Sequence, residues 1–198
     1  SSTHELGFRA NEALESARAQ VAKWLDCRVS EVVFTSGGTE GDNQAIKGLA
    51  VANPRGRHLI SARTEHEAVL EALDYLERQH GFEITWLPVA ADGAIALTDL
   101  TAALRPDTTL VTLMLGNNEV GTVHPIASFA AAAHEVGALF HTDAVQCVGW
   151  VDCRISTLGV DALTISGHKF GAPKGSGATF IRAKFGVEPL IHGGGQEA

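Results

Sequence analysis

The stretch Val32-Val33-Phe34-Thr35-Ser36-Gly37-Gly38-Thr39-Glu40-Gly41 leads from a short apolar run through a glycine-rich turn into a helical pattern. The apolar run predicts a buried strand. The apolar residues that follow at positions 45, 46, 49 and 50 have the spacing of one helix face. A strand that enters a helix through a tight turn is the beginning of a βαβ unit, so this stretch indicates an α/β fold.

The same alternation of helices and short apolar strands continues along the chain. Helical spacing predicts further helices over about 10–25, 65–79, 98–104 and 125–136. Candidate strands lie at 58–61, 82–87, 109–115, 138–142, 161–165 and 178–182. Strands interleaved with helices predict a mainly parallel sheet covered on both faces, and we interpret residues 1–198 as one such domain.

The composition excludes several classes of protein. Of the 198 residues, 45% are apolar and 19% are charged, which is typical of a globular domain. Fifteen basic against 23 acidic side chains give a net charge of −8, which argues against nucleic acid or a membrane surface as partner. Three cysteines and the lack of a long apolar run predict a cytoplasmic protein without a membrane span.

Polar clusters follow four of the predicted strands, at 35–39, 117–119, 141–146 and 166–169. In parallel α/β sheets, ligands bind beyond the carboxyl ends of the strands. We therefore expect these four clusters to meet at one edge of the sheet.

The turn Ser36-Gly37-Gly38-Thr39 lies between a strand and a helix. Free backbone N–H groups at a helix N-terminus favour an anion, and glycine lets that anion approach closely. A tight connection without a ligand is an equally ordinary interpretation. The turn is neither a Walker A loop nor a dinucleotide fingerprint.

Asp143 and Lys169 both follow apolar strands. Asp143 is either a turn or cap residue, or else a counter-ion for a protonated heterocycle or a metal ligand. Lys169 suits a desolvated amine that can form a Schiff base, whereas the competing Lys174 lies in a Pro-Lys-Gly turn. Together with a phosphate-binding turn, Lys169 and Asp143 predict a pyridoxal 5'-phosphate site.

The nine histidines raise the alternative of a metal site, through His141 with Asp143 or through His66 with His168. The spacings typical of zinc ligands do not occur around these residues. We therefore expect no metal.

Seven motifs, in this order along the chain, carry a resemblance to a known family. They are Ser1-Ser2-Thr3-His4, Thr35-Ser36-Gly37-Gly38-Thr39-Glu40, Glu65-His66-Glu67-Ala68-Val69-Leu70, Asn117-Asn118-Glu119-Val120-Gly121, His141-Thr142-Asp143-Ala144-Val145-Gln146, Ser166-Gly167-His168-Lys169 and Gly193-Gly194-Gly195-Gln196-Glu197. The chain resembles the large domain of a NifS-type cysteine desulfurase, a class V enzyme of the fold type I pyridoxal-phosphate group. The resemblance implies a three-layer αβα architecture.

The resemblance also implies roles for individual residues. Lys169 would hold the cofactor through a Schiff base and move the proton of the substrate α-carbon. Asp143 would pair with the pyridine N–H, while His66 would stack on the ring and act as an acid or base. Gln146 would bond the phenolic oxygen, and Asn118 would lie beside it and contact the substrate carboxylate. The phosphate would be held by Gly38, Thr39, Ser166 and His168.

The implied reaction converts L-cysteine to L-alanine, with sulfur passing to an enzyme cysteine for iron–sulfur cluster or thio-cofactor assembly. A homodimer and a sulfur-acceptor or scaffold protein are the implied partners. None of Cys27, Cys147 and Cys153 matches the family's catalytic cysteine, which follows the glycine-rich motif at 193–197. We expect a chain truncated at both ends that cannot complete persulfide formation alone. Another class V enzyme, such as a selenocysteine lyase or aminotransferase, and a non-catalytic cofactor-binding fragment remain as alternatives.

Overall fold

The computed structural model describes residues 4–193, which form a single seven-stranded sheet with helices on both faces. The strands are β1 (Val32–Thr35), β2 (His58–Ala62), β3 (Glu83–Leu87), β4 (Thr108–Thr112), β5 (Leu139–Asp143), β6 (Ala162–Ser166) and β7 (Gly177–Ile181). The helices are α1 (Glu5–Leu25), α2 (Gly38–Ala52), α3 (Glu67–His80), α4 (Leu97–Ala103), α5 (Ile126–Glu135) and α6 (Ile155–Leu158).

The strand order is β1-β7-β6-β5-β4-β2-β3. β2 to β6 pair in parallel, whereas β7 pairs antiparallel with both β6 and β1. β1 consequently runs in the same direction as β6. The predicted mainly parallel sheet is confirmed, and the carboxyl ends of β1, β4, β5 and β6 lie at one edge.

Two hydrophobic cores lie on opposite faces of the sheet. Alternate residues of a strand point to opposite faces, and neighbours in β5 show this: Leu139 belongs to the core that contains residues of α2 and α3, while Phe140 belongs to the core that contains residues of α5. The same alternation separates Leu110 from Val111 in β4. The αβα layering that the family resemblance implies is confirmed by these two cores.

The predicted elements agree with the structure to within a few residues, apart from two. The strand expected over 109–115 ends at Thr112, although Leu113 and Leu115 still donate backbone hydrogen bonds to His141 and Asp143. The single turn of α6 was not predicted, because four residues are too few to show a helical period.

Helix α1 is confirmed, and it begins earlier than predicted, where His4 Nδ1 accepts the N–H of Gly7. The apolar stripe that predicted this helix includes Ala10, Ala13, Leu14, Ala17 and Trp24, and these five residues are exposed, with Leu14 and Trp24 each about 40% accessible. The face that packs on the sheet instead contains Arg18, Ala22 and Leu25. None of the described helices is long and apolar enough to cross a bilayer.

Helix α2 packs closely on the sheet because residue 41 is glycine. A Cβ at Gly41 would lie 2.5 Å from Thr179 Oγ1 and 2.6 Å from Thr164 Cγ2. The close approach brings the first turns of α2 to the carboxyl edge of β6.

We predict that Gly41→Ala lowers the free energy of unfolding by about 1–3 kcal/mol, the usual cost of overpacking a core. Inside a helix, alanine is otherwise more favourable than glycine. The expected loss of unfolding free energy would therefore come from the steric contact of the added Cβ. Gly186→Ala is the matched control, since the nearest atom to its Cβ is 3.8 Å away. Urea unfolding of the three proteins checks this, and a Gly41→Ala protein as stable as wild type would contradict it.

Candidate functional site

A cavity of about 140 Å³ lies at the carboxyl edge of the sheet. All nine residues predicted for the site line it: Gly38, Thr39, His66, Asn118, Asp143, Gln146, Ser166, His168 and Lys169. Asp42, Met114, Gly116 and Val145 also line it. The expected convergence of the four polar clusters is confirmed. A larger cavity of about 410 Å³ lies elsewhere, between β1 and the segment after β7, and contains none of the nine residues.

The first wall of the cavity is the N-terminus of α2. Gly38 is the first helical residue, and a Cβ there would lie 2.9 Å from Val145 Cγ2. Thr39 follows in the same turn and is exposed. Glu40 accepts the backbone N–H of Ser36 at 2.8 Å, which fixes the turn before the helix. Backbone N–H groups at the end of this 15-residue helix are therefore directed at the cavity.

The opposite wall is a 3₁₀ turn, Gly167–Lys169, that directly follows β6. Ser166 is buried, and its Oγ is hydrogen-bonded to His168 Nδ1 at 2.9 Å. His168 and Lys169 are exposed at this turn. The prediction of a desolvated Lys169 amine is therefore wrong for this structure, because the turn extends beyond the buried strand and holds the residue at the mouth of the cavity.

The carboxyl group of Asp143 lies at the end of β5 and is buried. Its Oδ1 accepts the backbone N–H of Val145 at 2.8 Å. Burial raises the pKa of Asp143, and the Val145 N–H, the His66 ring and the Lys169 amine oppose that rise. The turn-residue role and the counter-ion role considered for Asp143 are thus compatible, since one oxygen makes the turn while the Lys169 amine and the His66 ring both lower the pKa of the carboxyl group.

His66 is the N-cap of α3, where its Nδ1 accepts the backbone N–H of Ala68 at 3.1 Å. Because Nδ1 is the acceptor in this bond, the neutral ring carries its proton on Nε2. The capping bond orients the imidazole at the cavity.

Asn118 is exposed on the turn after β4. Its neighbour Asn117 holds that turn, because Asn117 Oδ1 accepts the N–H groups of Glu119 and Val120, both at 2.9 Å. The Asn117 amide also donates to the carbonyl of Thr64 at 3.1 Å, which ties the turn to the segment before His66. Gln146 is half-buried in the turn after β5.

Two buried carboxyl groups near Asp143 were not predicted. Asp42 lies one turn after Gly38, and Glu65 lies just before His66. Desolvation raises the pKa of both well above the usual range. The helical spacing could have identified Asp42 as a buried residue, because Asp42 lies on the same face of α2 as Ala45, Ile46 and Leu49. A carboxyl group on an apolar face marks a buried polar site.

Below the cavity, His141 is completely buried on β5 between two threonine hydroxyls. Its Nδ1 is hydrogen-bonded to Thr112 Oγ1 at 2.8 Å and its Nε2 to Thr164 Oγ1 at 3.1 Å. Burial lowers the pKa of His141 to about 3, so the ring is neutral near pH 7. Within residues 4–193 there is no group of three or more acidic, histidine or cysteine side chains that could hold a metal ion.

The residues of the cavity fit pyridoxal 5'-phosphate. A helix N-terminus, the Thr39 and Ser166 hydroxyls and the His168 ring are donors suited to a phosphate group. A Cβ at Gly38 would crowd Val145 and approach Ser166, both of which line the cavity, so glycine leaves room at this end of the helix. A buried carboxylate with a primary amine in the same cavity suits a protonated pyridine ring that carries an aldehyde.

Comparison with known proteins identifies the family. The family model described as aminotransferase class-V matches residues 1–197. The chain belongs to this family. Members of the family use pyridoxal 5'-phosphate, in agreement with the predicted cofactor.

Similar proteins share the sequence along the whole chain. The chain is 49% identical to a protein named cysteine desulfurase IscS from Dictyoglomus turgidum, and covers 50% of it. It is 46% identical to a protein of the same name from Methanosarcina thermophila, and covers 49% of it. The chain therefore spans about half the length of the curated relatives it matches.

Solved structures confirm the fold. A NifS-like protein superposes with a TM-score of 0.94 at 41% identity, over 99% of this chain and 54% of that protein. A protein named SspA, solved in complex with cysteine, gives the same TM-score and identity over 100% of this chain and 57% of its own. The architecture is that of fold type I pyridoxal-phosphate enzymes. The motifs predicted at 1–4 and 193–197 lie largely outside the described residues.

We predict that His141 makes a contribution to stability that falls on acidification, because the folded chain does not protonate this ring. Between the ordinary histidine pKa of about 6.5 and the folded value of about 3, only the unfolded chain takes up this proton. This proton uptake by the unfolded chain lowers the free energy of unfolding by about 1.4 kcal/mol for each pH unit below the ordinary histidine pKa. His141→Gln should reduce the loss of unfolding free energy between about pH 7 and about pH 4.5.

Urea unfolding at both pH values measures this effect. The exposed His192→Gln is the matched control and should leave the pH dependence unchanged. If His141→Gln loses as much stability on acidification as wild type, the ring is not the source of the effect.

Proposed function

We propose that this chain forms the cofactor-binding core of a cysteine desulfurase, which converts L-cysteine to L-alanine and transfers sulfur to a cysteine thiol. The observation that carries the proposal is the single cavity shared by Lys169, Asp143, His66 and a phosphate cradle. The identity of 49% to a protein named cysteine desulfurase, along the whole chain, supports this reaction over other class V chemistry.

The proposal gives a task to each residue of the cavity. The Lys169 amine would bind the aldehyde carbon of the cofactor, and the Asp143 carboxylate would keep its ring nitrogen protonated. When bound, pyridoxal phosphate stabilises negative charge at the substrate α-carbon. Gln146 would donate to the phenolic oxygen, while Gly38, Thr39, Ser166 and His168 would hold the phosphate.

Two groups at the mouth of the cavity would transfer protons. Lys169, once released by the substrate amine, would take the α-carbon proton on Nζ and later return a proton to the product. The His66 ring would lie against the cofactor and donate through Nε2, since its Nδ1 accepts from Ala68. Asn118 would donate its amide hydrogens to the substrate carboxylate from the exposed turn.

The three cysteines of this sequence are unsuited to accept sulfur. Cys147 and Cys153 are buried, and desolvation raises the pKa of these thiols to about 12 and about 11. Desolvation and the nearby carboxylates of Glu31 and Asp26 raise the pKa of Cys27 to about 11. Because the thiolate is the nucleophile, the sulfur-accepting thiol of the proposed reaction lies outside this sequence.

The proposal includes the partners of the complete enzyme. The active unit would be a homodimer in the cytoplasm, and a sulfur-acceptor or scaffold protein would receive the sulfur for iron–sulfur cluster or thio-cofactor assembly. The exposed apolar side chains of α1, among them Leu14 and Trp24, are consistent with a surface that a second subunit would cover.

We predict that the purified protein binds pyridoxal phosphate as a yellow adduct that borohydride fixes to Lys169. Lys169→Ala should abolish the borohydride-resistant attachment, because it removes the amine. The matched control is the exposed Lys174→Ala, five residues away, which should retain it. Mass spectrometry of the reduced protein identifies the modified lysine. Attachment at Lys174, or a folded protein that binds no cofactor, would contradict the proposal.

We further predict that the loaded chain does not sustain alanine release from L-cysteine in the presence of a reductant, since its thiols are protonated. Cys27→Ser, Cys147→Ser and Cys153→Ser should leave any residual release unchanged. Chromatographic measurement of alanine over many equivalents tests this. Sustained turnover that one of these variants abolishes would show that the chain contains the sulfur acceptor. Faster alanine release from L-selenocysteine would favour the selenocysteine lyase alternative.

A further inference from the structure

Asp42 is a buried carboxyl group that the proposed reaction does not use. It lies on α2 with 1% of its surface exposed, and it lines the same cavity as Asp143. Its Oδ1 has no hydrogen-bond partner among residues 4–193 and lies 3.6 Å from His141 Nε2, beyond hydrogen-bond distance. An ionised carboxylate in such a place would leave a charge without full compensation.

The charged groups around Asp42 make ionisation still less favourable. The carboxyl groups of Asp143, at the end of β5, and of Glu65, after β2, both raise the pKa of Asp42. His141, from β5, is the nearest base, and burial keeps its ring neutral. From β6, the Thr164 hydroxyl acts on Asp42 and opposes the rise of its pKa only when it donates its hydrogen to the carboxylate.

The three carboxyl groups of this cluster differ in the cations that face them. Lys169 and His66 both act on Asp143 and favour its ionised form. Among residues 4–193, the electrostatic partners of Asp42 and of Glu65 include Asp143 but no cation. When carboxyl groups share a low-dielectric site, one charge disfavours the next. The negative charge is therefore best placed on Asp143.

The hydrogen bonds around Thr164 can be arranged with Asp42 and His141 both neutral. Thr164 Oγ1 is hydrogen-bonded to His141 Nε2 at 3.1 Å and also acts on the pKa of Asp42, and a hydroxyl has a single hydrogen to donate. If Thr164 donates to His141 Nε2, it must accept its other bond from the carboxylic acid of Asp42. The ring proton of His141 then lies on Nδ1 and is donated to Thr112 Oγ1.

We propose that Asp42 is a protonated positioning residue: as a neutral acid hydrogen-bonded through Thr164 to His141, it concentrates the charge of the buried carboxyl cluster on Asp143. The role of Asp143 toward a cofactor rests on the proposed function. The protonation of Asp42 does not, because it follows from residues of this chain.

The proposal gives a sign for the dependence of stability on pH. Above the ordinary aspartate pKa of about 3.9, the unfolded chain loses the Asp42 proton while the folded chain keeps it. The contribution of Asp42 to the free energy of unfolding therefore falls as the pH rises through this range, opposite in sign to the contribution of His141. Asp42→Asn imitates the protonated acid and removes the loss, since an amide has no proton to release.

Urea unfolding at about pH 5 and about pH 8 tests the proposal. We compare the equilibrium constant for unfolding of Asp42→Asn with that of wild type at each pH. The ratio of the variant to the wild-type constant should be at least about tenfold lower at the higher pH than at the lower pH. The matched control is the exposed Glu77→Gln on α3, which should show no such change. An Asp42→Asn protein that gains nothing over this range would overturn the proposal.

A spectroscopic measurement covers the case in which Asp42→Asn folds poorly. The infrared spectrum of the wild-type protein at about pH 8 should contain the carbonyl stretch of a protonated carboxyl group, assigned by isotope labelling of aspartate. Nitrogen NMR should place the His141 proton on Nδ1. An aspartate spectrum of carboxylates only, or a proton on Nε2 of His141, would overturn the proposal.

Cofactor binding by the wild-type protein, measured by visible absorbance on the same samples, separates this proposal from the previous one. If the protonated carboxyl group is present but no cofactor binds, the proposed function fails and the assignment of Asp42 stands. If cofactor binds and all aspartates are ionised, the assignment fails and the proposed function stands.

Discussion

The carboxylate of Asp143 at the end of a central strand is the constraint on which the site depends. A buried charge is costly unless partners compensate for it. Here the compensation comes from three different segments: the backbone of Val145, the ring of His66 and the amine of Lys169. Two of these groups, the His66 ring and the Lys169 amine, can also take up and release protons, which makes them candidates for the proposed chemistry.

The topology of the sheet explains how these segments meet. The antiparallel strand β7 lies between β6 and β1, so the glycine-rich turn after β1 emerges at the same edge as the turn after β6. That arrangement places the N-terminus of α2 opposite Lys169. Gly41 then allows α2 to approach the sheet closely enough to bring Asp42 beside His141.

Much of the site could be predicted from the sequence because its residues follow recognisable strands. Polar residues directly after apolar runs identified Asp143, Ser166 and Lys169, and the parallel sheet required them to converge. Exposure was harder to predict, since it depends on what packs above each residue. The Lys169 amine and the apolar stripe of α1 are both more exposed than the sequence pattern indicated.

The sequence by itself determined the α/β class, the positions of the strand ends and the types of residue at the candidate site, because these are local properties of period and chemistry. Only the tertiary structure decided the state of those groups. Asp42 and Glu65 are ordinary acidic residues along the chain, yet they are buried beside a third carboxyl group once the sheet forms. Protonation depends on burial and on neighbouring charge, and both arise from segments that are distant in sequence.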